Sequence, residues 1–153
     1  MSGPYSARDV AGYVVRHREV QGDTVTPLQL MKIVYIAHGW MLGQRGRPLV
    51  SDTFTAWRYG PAAEDLYAAV RRFGSSPVKE VNRAKPIEPD ESEKEVLERV
   101  TDYYAKFDGI RLSALTHAPG SPWDKTTKTA GLNSSIPNDL IENYYSKLAN
   151  KAA

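Results

Sequence analysis

From Pro27 to Leu42 the chain reads PLQLMKIVYIAHGWML, with only Gln29, Lys32 and His38 clearly polar. A helix that is apolar nearly all round lies buried on most of its faces, and at about 24 Å this one is too short to span a bilayer comfortably. It starts at Thr26-Pro27-Leu28-Gln29, where the hydroxyl and the amide cap each other's backbone and Pro occupies the first helical position. The pattern therefore predicts a central helix, with Tyr35 and Trp40 in the interior, ended by Gly43, Gly46 and Pro48.

The flanking segments are amphipathic. Ser6-Ala-Arg-Asp9 caps a first helix carrying Val10, Tyr13, Val14 and His17, which Gly22-Asp23 closes. Leu49-Val50 and Phe54 to Tyr59, around Ser51-Asp52, predict a small β-hairpin over the central helix. Gly60-Pro61 is a strand-to-helix turn opening a third helix, with Glu64 and Asp65 at its positive end and Leu66, Ala69, Val70 and Phe73 inside. Residues 75 to 90 hold three prolines and a short strand at Val78 to Val81, and are expected to form a mobile loop. Asp90-x-x-Glu93 caps a fourth helix with Val96, Val100, Tyr103 and Phe107 in phase, stopped at Asp108-Gly109. A short fifth helix covers Ile110 to Thr116. Pro122-Trp123 forms a corner with a buried indole and begins a sixth helix, and the last starts near Pro137 with Leu140, Ile141, Tyr144, Tyr145 and Leu148. The fold expected is mainly α (α+β): one compact domain over residues 1–153, ordered from about 6 to 149, with six or seven helices and a hairpin.

Composition narrows the function more than the fold. With 41% hydrophobic residues, 9 Tyr, 3 Trp and 3 Phe, the chain is rich enough in apolar side chains to collapse. The absence of Cys removes disulfide scaffolds, thiolate metal sites and cysteine nucleophiles, and fits a reducing compartment. Net charge is only +2, from 20 Lys and Arg against 18 Asp and Glu, which is little for a protein that lives on nucleic acid. No run of some 18 apolar residues occurs, and MSGPYSARD has no signal-peptide pattern, so a cytoplasmic protein is expected.

Catalytic constellations are scarce. Neither GxxxxGK[ST] nor GxGxxG is present, and His17, His38 and His117 are isolated, without metal-ligand spacing, so neither cofactor nor metal is implied. Ser113 and His117, four apart, with Asp124 nearby, superficially resemble a nucleophile, base and orienter, but no nucleophile elbow accompanies them. Arg16, Arg18, Arg45, Arg47, Arg58, Arg71 and Arg72, with Trp57 and Tyr59 for stacking, are the residues a nucleic-acid surface would use, yet no helix-turn-helix spacing is present. The chain is therefore expected not to be an enzyme. A nucleic-acid-binding repressor, a phage-associated regulator and a hydrolase centred on His117 stay open as alternatives.

Five stretches in order resemble one family, the Panacea domain, also seen in phage-associated proteins of the GepA type and in the SocA antitoxin. They are Leu28 to Tyr35 with Gly39-Trp40; Arg47-Pro-Leu49; Ala56-Trp-Arg-Tyr-Gly-Pro61 with Leu66-Tyr67; Leu112 to His117 with Pro122-Trp123; and Ile136 to Tyr145. The chain departs from the pattern at Met31, where the family has Gln, and at Ala62, where it has Val. The resemblance implies an antitoxin of a bacterial or prophage toxin-antitoxin system that binds and neutralises a cognate protein toxin. Related domains pair with several toxin classes, small alarmone synthetases among them, and the SocA type suggests an adaptor that delivers its toxin to a protease machine.

The family carries over no catalytic residue. Tyr35, Trp40, Trp57, Gly60, Pro61, Pro122 and Trp123 are expected to build the domain. Partner contact is expected from Arg58, Tyr59, Tyr67, Arg71 and the 75 to 90 loop, because exposed aromatic and Arg side chains make the usual hot spots.

Overall fold

The computed structural model describes residues 2–152. Its centre is α2 (Pro27–Arg45), against which α1 (Ala7–Val20), α3 (Glu64–Val70), α4 (Glu91–Tyr104), α5 (Gly109–Thr116) and α7 (Asn138–Ala152) all pack. The capping box at Thr26 and Gln29 is formed, and Leu30, Ile33, Tyr35, Ile36 and Met41 are fully buried. Truncating any one of these aliphatic side chains to Ala would cost about 2–5 kcal/mol. Helix α6 (Pro122–Ala130) begins under its Ser121 cap, as its sequence predicts.

Helix α2 does not stop at Gly43. It runs on to Arg45 and ends at Gly46, which adopts the left-handed cap at φ 71°. Gly43 serves packing instead, since a Cβ there would lie 2.6 Å from the Tyr145 carbonyl carbon of α7. Gly39, one turn earlier, faces the Tyr145 ring, so the two glycines form a groove that receives this tyrosine. Trp40 lies at the rim of this contact and is half-buried rather than interior. Its indole N–H donates to the Tyr104 hydroxyl at 3.3 Å, which holds the polar end of the ring near the surface.

The sheet has three antiparallel strands in the order β2 (Gly60–Ala62), β1 (Phe54–Trp57), β3 (Ser135–Ile136). The hairpin turn is thus Arg58-Tyr59, not Ser51-Asp52. Asp52 accepts the Ala7 amide at 2.9 Å, at the start of α1, and Val50 bridges to Tyr5. Pro61 sits in the edge strand rather than at a helix start. Opposite it, both backbone groups of Ala56 turn toward the β3 side, where they meet Ser134 and Asn133, so no ladder bond needs the N–H that Pro lacks. Helix α3 begins only at Glu64 and is followed by a 3-10 turn over Arg71–Phe73.

Residues 75 to 90 contain no strand and are tied down along their length. Val78 and Val81 are buried, the Val78 amide donates to Val25 O, Asn82 O accepts from Arg8, and the Lys85 amide donates to Asp9. At the far end the Asp90 capping box holds Glu93, which is fully buried. Burial alone would raise the Glu93 carboxyl, but donors from Tyr5, Asp90, Gly3 and Arg47 hold it below its ordinary range.

Candidate functional site

The β1–β2 turn stands over the first half of α2 and encloses a cleft of about 420 Å³. Leu28, Met31 and Lys32 line it from α2; three and four residues apart, they share one helical face. Trp57, Arg58, Tyr59 and Gly60 form the hairpin wall, Tyr67 of α3 closes one side, and Asn133 reaches in from the loop before β3. Asn133 adopts φ 69° and donates its amide to Ala56 O at 2.7 Å, which fixes that loop against β1.

The hairpin is secured from behind by the two helices the corner joins. The Trp123 indole donates to Trp57 O at 2.6 Å, and the Ser113 hydroxyl donates to Tyr59 O. Gly60 holds φ 119°, so glycine is required there by conformation, and the space a Cβ would take lies 2.9 Å from Lys32 Nζ. The aromatic groups above are presented to solvent. Tyr59 is 66% exposed, Tyr67 is 41% exposed and packs edge-on against Trp57 at 5.2 Å, and the Arg58 guanidinium lies 5.6 Å from the Tyr59 ring.

Of the residues expected at a partner surface, Arg58, Tyr59 and Tyr67 come together around this cleft. Arg71 does not; it lies in the 3-10 turn after α3 and is not among the lining residues. Trp57, expected as a framework residue, is both a strand residue and a wall of the cleft. Trp123 is half-buried, its ring against His117 at 5.3 Å.

Lys32 is the group that sequence reasoning missed. It is 3% exposed, donates to Pro61 O at 2.8 Å, and burial lowers its pKa from 10.5 to about 8. A lone Lys in an apolar run looks like the solvent edge of a helix; only the hairpin folded over it makes it interior. A second aromatic face also went unread, where Trp40, Tyr103, Tyr104, Phe107, Tyr144 and Leu115 line a depression on the α4–α5–α7 side. Its helical spacing matches a core stripe, yet Tyr103 is 53% exposed.

The Ser113, His117 and Asp124 set does not assemble. Ser113 spends its proton on Tyr59 O, Asp124 accepts the Gly120 amide at 2.8 Å and pairs with Lys128, and His117 Nδ1 is buried with no hydrogen-bond partner among the described residues. Several of the arginines are likewise committed: Arg18 to Asp23, Arg45 to Glu95, Arg47 to Asp90 and Glu93, and Arg72 to Glu80. Among the described residues no helix is long and apolar enough to cross a membrane.

The family model described as "Antitoxin SocA-like, Panacea domain" matches residues 30–124, a span that includes Met31, Lys32, the whole hairpin and Tyr67. Antitoxin SocA of Caulobacter vibrioides is 32% identical over 139 residues, covering 83% of this chain and 73% of that protein. No solved structure matches the chain.

Proposed function

The chain belongs to the Antitoxin SocA-like, Panacea-domain family, and we propose that it neutralises a cognate protein toxin by binding it directly and stoichiometrically through the cleft face. The observation that carries this reading is the convergence of exposed Arg58, Tyr59 and Tyr67 on a formed cleft whose hairpin is bonded to two helices behind it. Rigid aromatic and Arg anchors around a pocket are what a protein interface uses for affinity. A stable interface buries about 1,200–2,000 Å², so the toxin would cover the cleft together with the surfaces around it.

The action is occupation of the toxin rather than chemistry on it. Of the groups that would form a catalytic triad, Ser113 and Asp124 are tied to backbone and to a neighbouring charge, while His117 Nδ1 has no partner among the described residues. Of the arginines a nucleic-acid surface would use, Arg18, Arg45, Arg47 and Arg72 are paired with carboxylates. Delivery of the bound toxin to a protease would be a later step of the same complex, read as a fall in toxin level. Co-expression with the toxin encoded beside it, followed by purification of the complex, tests the reading. A stable complex at a fixed ratio supports it; a chain that protects cells without ever associating with the toxin contradicts it.

A further inference from the structure

We propose that the floor of the cleft is a carboxylate-binding site, in which the Lys32 ammonium receives an acidic side chain carried on an apolar segment of the partner polypeptide. This deepens the toxin-binding reading and rests on it for the identity of the partner. An ammonium has three donors, and among the described residues Lys32 uses one, to Pro61 O at 2.8 Å, and takes part in no ion pair. Burying a charge without a counter-charge costs a fold several kcal/mol, so an unpaired interior lysine is a liability unless something else completes it.

The geometry leaves room for that completion. Lys32 lies on the same α2 face as Leu28 and Met31, and faces the cleft beside the hairpin, where the lack of a side chain at Gly60 lets the ammonium come close to β2. Trp57, Tyr59 and Met31 make the surrounding walls apolar, and in such surroundings an ion pair is stronger than in water. One buried cation matches one carboxylate. The other cation of the cleft, Arg58, is exposed at the turn and lies over the Tyr59 ring, so a phosphate dianion would meet one interior charge only.

The purified full chain is titrated, by amide NMR, with acetyl-leucyl-glutamyl-phenylalanyl amide, with its glutaminyl counterpart, and with inorganic phosphate. The glutamyl peptide is expected to shift the Gly60 amide and the Trp57 indole saturably, at a concentration about tenfold below that of the glutaminyl peptide. That advantage should vanish in Lys32→Met, checked by its melting curve, and should shrink in the unaltered chain as pH rises from about 7 to about 9.5 and Lys32 loses its proton. Should Lys32→Met fail to fold, the pH series carries the test alone. Equal binding of the two peptides, no shift with either, or tighter response of the same signals to phosphate overturns the site. Peptide discrimination in a protein that fails to neutralise its toxin would instead overturn the functional reading and leave the site standing.

Discussion

Gly43 of α2 and Tyr145 of α7 meet at the backbone: a methyl group at position 43 would lie 2.6 Å from the Tyr145 carbonyl carbon and 2.7 Å from the Ser146 nitrogen. Main-chain atoms cannot turn aside as a side chain can, so the helices would have to separate. Overpacking of this kind costs about 1–3 kcal/mol, while Gly to Ala inside a helix returns about 1 kcal/mol. Gly43→Ala is therefore expected to lose up to about 2 kcal/mol on balance, seen as a lower denaturant midpoint. A gain in stability would mean that the two helices are less tightly apposed.

His38 gives the fold an acid limit. Its Nδ1 accepts the Val50 amide at 3.1 Å, which leaves Nε2 as the N–H that donates to Asn138 Oδ1 at 2.9 Å, so the neutral ring ties α2 both to the loop after it and to the start of α7. Burial lowers the His38 pKa below 6.5. The unfolded chain then binds the proton first, and the stability His38 contributes is complete above pH 6.5 and falls as pH drops toward the folded value, by up to about 1.4 kcal/mol per pH unit. The lowered carboxylates Asp90, Glu93, Asp102 and Asp124 act below their ordinary range, near pH 4. Melting temperatures between about pH 7 and about pH 5 should thus decline, and a flat profile across that window would count against the assigned ring state.

The reach of the sequence can be judged from α2 and from the hairpin. Thr26 and Gln29 announce the start of α2 because a capping box is local chemistry, satisfied within four residues. The hairpin is different. Ser51-Asp52 has turn composition but is drawn to the N-terminus of α1, and Gly60-Pro61 has helix-opening composition but lies in a strand, where pairing with β1 decides. Strand β3 is two residues long and pairs across the chain, so no periodicity could reveal it. The same split holds for the cleft. Arg58, Tyr59, Tyr67 and Arg71 can be chosen from the sequence by residue type alone, without their placement, whereas the gathering of the first three at one cleft and the entry of Lys32 and Asn133 depend on long-range packing.

Exposed side chains of the cleft should matter for binding and little for folding. Tyr59→Ala and Tyr67→Ala are each expected to weaken toxin binding by about 1–2 kcal/mol or more, and Arg71→Ala, away from the lining, by much less. Melting temperatures of the Tyr59 and Arg71 variants should stay close to that of the unaltered chain, because surface substitutions fall within about 0.5 kcal/mol. That of Tyr67→Ala should be modestly lower, its edge contact with Trp57 being worth about 0.5–1.5 kcal/mol. Calorimetry against the toxin checks the ranking, and an Arg71 effect equal to the tyrosines would move the interface off the cleft.

His117→Ala separates occupation from catalysis. Its ring packs on Trp123, and Trp123 holds Trp57 O, so the change should lower stability modestly through that contact. At a temperature where the variant is folded, neutralisation should be unaltered. A folded His117→Ala protein without activity would put chemistry back at this histidine.

The most direct measurement is a titration of the purified chain against a fixed amount of active toxin. Occupation predicts that toxin activity falls in proportion to the antitoxin added, reaches zero at a fixed small-integer ratio, and returns when the complex is dissociated, with the Tyr59→Ala/Tyr67→Ala double variant losing the sharp end point while remaining folded. Permanent silencing by a small fraction of an equivalent, or an undiminished end point in that folded double variant, would contradict it.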